Sequence, residues 1–142
     1  MGKTNFEKLR VYQLAELLAD RIWHIVLQWD YFAKVTVGKQ MVTAADSVGS
    51  NIAEGSGRGS LQDNRRFIKI ARGSLYETKH WLRRAYNRKL LTETDVTDLK
   101  PIIDELLPKL NAYFRSVDCA VEATQTKLKE QSTKLRNQNA RL

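Results

Sequence analysis

The stretch that decides the fold is Ser47-Val48-Gly49-Ser50-Asn51-Ile52-Ala53-Glu54-Gly55-Ser56-Gly57-Arg58-Gly59-Ser60. Its first half places small and apolar residues at helical spacing, which predicts a helix packed closely against a neighbour. The three glycines that follow predict the end of this helix, because glycine enters left-handed conformations without a steric penalty. Ser60, with an acidic residue three positions later, predicts the cap of the next helix. The stretch therefore indicates a tight helical hairpin.

A line of polar residues runs beside the apolar face of the first helix of this hairpin. Ser47, Asn51 and Glu54 lie at positions i, i+4 and i+7, and a buried polar group without a partner costs about 1–3 kcal/mol. We therefore expect hydrogen bonds from Ser47 or Asn51 to Ser74 or Glu77 on the following helix. The predicted structural motif comprises Ser47, Asn51, Glu54, Gly55, Ser74 and Glu77.

Amphipathic periodicity predicts an all-α fold of four helices. The predicted ranges are residues 8–29, 38–54, 61–88 and 93–117, and Thr92, with Asp95 three residues later, predicts the cap of the last helix. The expected core face of the third helix comprises Phe67, Ala71, Leu75, Thr78, Leu82 and Ala85. A second inward line, Ile70, Ser74, Glu77 and Trp81, is expected to meet the second helix. Four such helices joined by short connections are typical of an up-down-up-down antiparallel four-helix bundle. In the connector 30–37 we expect Tyr31 and Phe32 to fold back onto the bundle. Pro101 and Pro108 lie inside the last helix, where a missing backbone donor predicts a kink or a separate first turn.

The sequence divides into a predicted bundle at residues 1–118 and a polar, basic C-terminal tail or helical extension at 119–142. Apolar residues recur in the tail at seven-residue spacing, at Val121, Leu128, Leu135 and Leu142. The second core position of each heptad is polar, at Thr124, Gln131 and Gln138, which argues against a strong coiled coil. A frayed tail and a continuing helix both fit this pattern.

Composition limits the class of protein. The 142 residues suffice for one domain with a core, and a net charge of +8 indicates an anionic partner. Cys119 is the one cysteine, which excludes an intrachain disulfide and a cysteine zinc site. No apolar run approaches the roughly 18 residues of a membrane span, and the N-terminus lacks a hydrophobic signal segment. We therefore predict a cytoplasmic protein without a membrane partner.

The segment Asn51-Ile52-Ala53-Glu54-Gly55, followed by Gly57-Arg58, resembles the family of four-helix bundle proteins, or 23S ribosomal-RNA intervening-sequence proteins. Further similar residues are Phe6 to Leu9, Val11-Tyr12-Gln13, Gln40, Ala44-Ala45, Phe67, Ala71, Gly73-Ser74-Leu75 and Glu77. The resemblance implies a four-helix bundle encoded within ribosomal-RNA intervening sequences. The sequence also resembles the accessory variability determinant proteins of diversity-generating retroelements. That likeness implies a homopentameric ring that holds a reverse transcriptase and its RNA.

A basic stripe runs along the third predicted helix. At about 100° per residue, five cations and one aromatic residue fall within one narrow arc around the helix, and the stripe that they form is roughly 27 Å long at 1.5 Å per residue. The basic stripe comprises Arg65, Lys69, Arg72, Tyr76, Lys79 and Arg83. We expect its cations to point outward and to follow a phosphate backbone, with Tyr76 stacked on an unpaired base. A solvated basic face, or cations paired with acids of another subunit, is the alternative interpretation.

The turn at residues 55–60 is a second candidate phosphate site. The N-terminus of the following helix offers free N–H groups there, and Arg58 lies beside it. The turn lacks the Gly-Lys-Ser/Thr ending of a Walker A loop. A tight turn that needs flexible residues explains the same sequence.

The sequence predicts no catalytic site, metal or cofactor. His24 and His80 lie on different helices without a second ligand at metal-binding spacing, and Cys119 has no evident activating base. Glu54 and Glu77 are a candidate carboxylate pair for acid–base work, but structural hydrogen bonding inside the bundle is strongly favoured over this interpretation.

The sequence therefore predicts a non-enzymatic bundle that binds nucleic acid, with structured RNA favoured. The alternative is an oligomeric scaffold whose cations meet a protein partner. We expect a homo-oligomer, because Trp23, Trp29, Tyr31 and Phe32 supply more aromatic surface than a thin bundle buries. The resemblance implies a pentamer with a reverse transcriptase as partner.

Overall fold

The structure, a computed structural model that describes residues 6–141, is helical throughout its regular segments. Its four long helices are α1 (Arg10–Leu27), α2 (Lys39–Ser56), α3 (Leu61–Asn87) and α4 (Glu93–Ala140). Each packs against its neighbours in sequence, and α1 also packs against α4, whereas in the described range no Cα atoms of diagonally opposite helices lie within 8 Å of each other. The predicted all-α, up-down-up-down four-helix bundle is confirmed. None of these helices is long and apolar enough to cross a membrane.

Helix α2 is entered without a break through two short helical segments. An α-helical turn, Tyr31–Ala33, leads into a π-helical segment, Lys34–Gly38. The carboxylate of Asp30 caps the turn by accepting a hydrogen bond from the Ala33 N–H at 2.9 Å. The expectation that Tyr31 and Phe32 fold back onto the bundle is wrong, because they lie on the outer side of this turn and are 80% and 75% exposed.

The core of the bundle follows most of the predicted faces. On α3, the predicted core residues Phe67, Ala71, Leu75, Thr78, Leu82 and Ala85 are all buried. Ile68, which the prediction omitted, is fully buried, whereas Ile70 and Glu77, predicted to face α2, are exposed. The inward arc of α3 is therefore centred nearer to Ile68 than the sequence pattern indicated.

Helices α2 and α3 approach closely at Gly55. A Cβ atom at this position would lie 2.7 Å from Oδ1 of Asn64 and 2.8 Å from Cβ of Phe67. Two residues of the turn complete the hairpin: Gly59 adopts a positive φ of 81°, and the Ser60 hydroxyl accepts a hydrogen bond from an α3 N–H. A glycine is required at 55 by helix contact and at 59 by backbone conformation.

The predicted hydrogen bonds from α2 across to α3 are wrong. Nδ2 of Asn51 donates to the carbonyl of Ser47 in its own helix at 2.7 Å, and exposed Glu54 forms an ion pair one turn along the chain. The carbonyl of Ser74 accepts from the Thr78 hydroxyl at 2.8 Å. The amide of Asn51 and the carboxylate of Glu54 thus each have a partner four positions away. Among the described residues, no hydrogen bond joins Ser47 or Asn51 to Ser74 or Glu77.

A hydrogen bond between helices is made elsewhere, between α3 and α4. Nδ2 of Asn64 donates to the hydroxyl oxygen of Tyr113 at 3.2 Å. Oδ1 of Asn64 is buried and accepts no hydrogen bond from any residue in the described part of the chain; it is the atom that a Cβ at Gly55 would meet. Asn64 therefore links the α2–α3 contact to α4.

Helix α4 begins at a complete capping box and continues well beyond the bundle. Thr92 and Asp95 each accept a hydrogen bond from the other's backbone N–H, at 3.1 and 2.9 Å. The helix is unbroken across both prolines, so the prediction of a separate first turn is wrong. It is the helical alternative for the tail that the structure shows, with Val117 and Val121 buried and the following residues mostly exposed. Residues 126–140, the helical extension, span roughly 22 Å at 1.5 Å per residue.

Candidate nucleic-acid interface

The basic stripe lies along the seam between α3 and α4. Helix α3 carries seven lysines and arginines but only two acidic residues, Asp63 and Glu77. An ordinary exposed helix mixes the two signs and gains from i,i+4 pairs. Because α3 itself offers so few acids, the partners of these cations must come mainly from the neighbouring helix α4. The contacts with α4 divide the six residues of the stripe into two groups.

Arg65 is held by carboxylates of α4. Its Nη1 lies 2.9 Å from Oδ1 of Asp118 and 3.1 Å from Oε1 of Glu122, and its side chain is only 21% exposed. Hydrogen bonding to Asp118 is the main reason that the pKa of Arg65 is raised above its ordinary value. The expectation that Arg65 points outward is wrong, because its charge is satisfied between the two helices.

Lys69 and Arg72 lie over an aromatic ring of α4. The ammonium of Lys69 is 5.7 Å from the ring centroid of Phe114, and the guanidinium carbon of Arg72 is 4.7 Å from it. These are cation–π distances. Lys69 stays exposed, but Arg72 is half-buried, so only Lys69 points outward as predicted.

The C-terminal half of the stripe is free. Tyr76, Lys79 and Arg83 are exposed, and neither Lys79 nor Arg83 forms a hydrogen bond or an ion pair with any described residue. Both line a groove beside α4. Of the predicted phosphate-binding residues of α3, these two cations remain fully available to a ligand.

Arg58 is engaged within the hairpin. Its Nη2 lies 2.9 Å from Oε1 of Glu54, and its guanidinium lies 4.9 Å from the ring centroid of Phe67. Arg66 approaches the same ring at 4.5 Å. The turn thus has the geometry of a tight interhelical connection, and a phosphate at Arg58 would compete with Glu54.

The helical extension is a basic surface that the prediction of site residues missed. Within residues 126–141 the charged side chains are Lys127, Lys129, Glu130, Lys134, Arg136 and Arg141, and all are exposed. The positive charge of this segment was visible in the sequence. It was not combined with a helix, because the heptad pattern left the conformation open.

Part of the opposite seam, between α1 and α2, is acidic and is called the acidic seam. Glu16, Asp20 and Asp46 line one shallow depression there. Partial burial, and then repulsion from Asp20, raises the pKa of Asp46 above its ordinary value. The bundle therefore has a basic seam and an acidic seam on opposite sides.

The candidate catalytic groups lie apart. His24 and His80 are exposed on different helices, and Cys119 is exposed on α4. Nε1 of Trp81 donates to Glu77 at 3.4 Å, whereas Glu54 pairs with Arg58. Across residues 6–141, no group of three or more histidine, cysteine and carboxylate side chains is placed to hold a metal ion.

Comparison with known proteins places the chain in a family. Residues 7–112 match the model of the 23S rRNA-intervening sequence protein family. The fold is similar to a 1.70 Å crystal structure of a protein of unknown function from the S23 ribosomal protein family of Bacteroides thetaiotaomicron VPI-5482. The TM-score is 0.65 at 21% identity, over 74% of this chain and 95% of that one. No curated protein gave a significant match. The chain belongs to the 23S rRNA-intervening sequence protein family.

Proposed function

We propose that this protein is a non-enzymatic, cytoplasmic RNA-binding bundle that holds structured RNA through phosphate contacts. The observation that carries the proposal is the free pair Lys79 and Arg83, exposed and without a carboxylate partner among the described residues. Like charges one turn apart oppose helix formation, and a phosphate backbone relieves this repulsion. The family name, which refers to an intervening sequence of ribosomal RNA, supports RNA as the partner.

Two basic surfaces are available to one RNA. The first is the C-terminal half of the basic stripe on α3, and the second is the helical extension of α4. Phosphate contacts fix position but carry no sequence information, so specificity would come from RNA shape or from a partner protein. The proposed chemistry needs no metal or cofactor.

The test is a titration with a structured RNA at several salt concentrations. Replacing Lys79 and Arg83 together by Gln should weaken binding to all RNA sequences alike. It should also flatten the plot of log affinity against log salt by about two units, one for each lost phosphate contact. The matched control replaces Arg21 and Lys39, two exposed cations of α1 and α2, and should leave the slope nearly unchanged.

Arg65→Gln provides a second comparison on the same helix. Because Arg65 already pairs with Asp118 and Glu122, its loss should lower the melting temperature without changing the salt slope. If the Lys79/Arg83 variant binds RNA like the parent at every salt concentration, α3 is not the RNA surface.

A scaffold without direct RNA binding is the alternative function, and the acidic seam favours it. The basic seam of one copy and the depression lined by Glu16, Asp20 and Asp46 on another carry complementary charge. Repeated contacts between unlike surfaces of identical subunits give a ring when the rotation between subunits closes, and an open filament when it does not. In this alternative the Lys79/Arg83 variant loses self-association, as measured by light scattering, and the parent shows no preference for RNA.

The assembly and its setting complete the proposal. By family resemblance we propose a homo-oligomer, with a pentamer favoured. A reverse transcriptase of a diversity-generating retroelement is one protein partner that this resemblance suggests. Co-purification of such an enzyme with the tagged bundle, dependent on RNA, would support that setting.

A further inference from the structure

An apolar groove opens between the C-terminal half of α3 and the N-terminal half of α4, and its volume is about 350 Å³. Each helix contributes residues at i, i+3, i+4 and i+7, so two matching stripes face each other. The apolar lining comprises Leu82, Tyr86, Leu91, Val96, Leu99 and Ile103. The volume lies at the lower end of the range for ligand pockets.

The polar groups of the groove lie at its rim. Lys79 and Arg83 line one wall and have no partner among residues 6–141. On the other wall, Lys100 and Asp104 neutralise each other through an ion pair of 2.6 Å. The rim therefore offers two uncompensated positive charges beside an apolar floor.

We propose that this groove receives one unpaired nucleobase of the bound RNA, with the adjoining phosphates on Lys79 and Arg83. This inference rests on the proposed RNA-binding function and adds a site to it. Tyr86 is half exposed where it lines the groove, so it presents an aromatic face on which any base stacks. The base occupies the apolar groove, and Lys79 and Arg83 on α3 bind the negatively charged phosphates on either side of it.

The structure thus moves the predicted base contact along α3. Tyr76, to which the sequence analysis assigned stacking, is exposed but does not line the groove. Tyr86 lies on the same wall of the groove as Lys79 and Arg83, seven and three residues after them. The protein would therefore distinguish RNA with unpaired bases from a fully paired duplex, which has none to insert.

The test compares a single-stranded RNA with a duplex of the same length, using the full chain. Tyr86→Ala should weaken the single strand about tenfold or more and leave the duplex nearly unchanged. Tyr31→Ala is the control, since it removes an exposed tyrosine that belongs to neither α3 nor α4. A single-strand defect in Tyr76→Ala instead of Tyr86→Ala would overturn the assignment to the groove. An RNA that carries the fluorescent base 2-aminopurine should change its emission on binding to the parent and not to Tyr86→Ala.

A second variant tests the space itself. Val96→Phe leaves Tyr86 and both cations in place but adds volume to the groove wall, and it should reproduce the single-strand defect. If both variants bind single strands like the parent while the Lys79/Arg83 variant loses all RNA, the nucleobase site is wrong and the phosphate surface stands. If the parent binds no RNA, or if an acidic peptide with apolar side chains binds in the groove instead, the nucleobase site is also refuted.

Discussion

Replacing Gly55 by alanine measures how much the fold depends on close contact between α2 and α3. The added Cβ would lie 2.8 Å from Cβ of Phe67 and 3.3 Å from the carbonyl oxygen of Asn64. Both atoms are fixed to the backbone of α3, so the helices must separate by several tenths of an ångström. Overpacking of this kind costs about 1–3 kcal/mol, against a helix-propensity gain of at most about 1 kcal/mol. We expect a net loss of roughly 0–2 kcal/mol.

Gly73→Ala is the matched control on α3. Gly73 lies inside the helix, and an added Cβ would meet no atom within 4 Å. This variant keeps the propensity gain without the steric cost, so it should stabilise the protein by about 1 kcal/mol. The difference between the two variants, about 1–3 kcal/mol, is then the energy of the close contact.

Thermal and urea unfolding of the three proteins measure this difference. For a chain of this size, 1 kcal/mol shifts the melting temperature by about 4 °C. Gly55→Ala should melt about 4–12 °C below Gly73→Ala. Equal stability of the two variants would show that α2 and α3 do not need a glycine at this contact, and the argument from the hairpin would fail.

Four further substitutions test electrostatics, backbone strain and assembly. The pKa of Glu105 is lowered mainly by its hydrogen bond to Arg10, so the ionised carboxylate stabilises the fold above pH 4.5 and progressively less below it. The pKa of Asp46 is raised, so its ionised form destabilises the fold at neutral pH and this effect is lost as the pH falls. Melts at pH 7 should therefore show Glu105→Gln destabilised and Asp46→Asn stabilised, and both differences should shrink towards pH 3. Lys89 adopts a φ of 61°, so Lys89→Gly should stabilise by up to about 1 kcal/mol in urea titrations, and unchanged stability would contradict the strain. Phe32→Ser should reduce self-association in light scattering, because Phe32 is 75% exposed; a parent that is already monomeric at micromolar concentration would rule out the oligomer.

Helical periodicity together with short connections was sufficient to predict the bundle, because four helices with one apolar face each, joined by short loops, pack as antiparallel neighbours. The pattern predicted the core of α3 from Phe67 to Ala85 and the cap at Thr92. It could not predict the conformation of residues 119–140, since a helix that leaves the bundle buries little apolar surface. There the sequence offered two conformations of similar merit.

The polar residues were predicted less well, and for a consistent reason. Periodicity shows which residues share a face but not whether a side chain is satisfied within its own helix. Asn51 bonds to Ser47 four residues earlier, and Glu54 bonds to Arg58 four residues later. The Glu54–Arg58 pair is visible in the sequence at i,i+4 spacing. The partner of Asn51 is a backbone carbonyl, which every residue type offers, so the spacing of side chains does not show this bond.

All six residues of the basic stripe lie on α3, as predicted, but in the structure they do not share the same surroundings. The residues that divide it belong to α4, about fifty positions away: Asp118 satisfies Arg65, and Phe114 covers Arg72. Towards its N-terminus, α4 presents apolar residues and a neutralised ion pair instead, so Lys79 and Arg83 stay uncompensated. The two halves of the stripe therefore have different roles. Its first half holds α3 to α4, and its second half has positive charge left over for an anionic ligand.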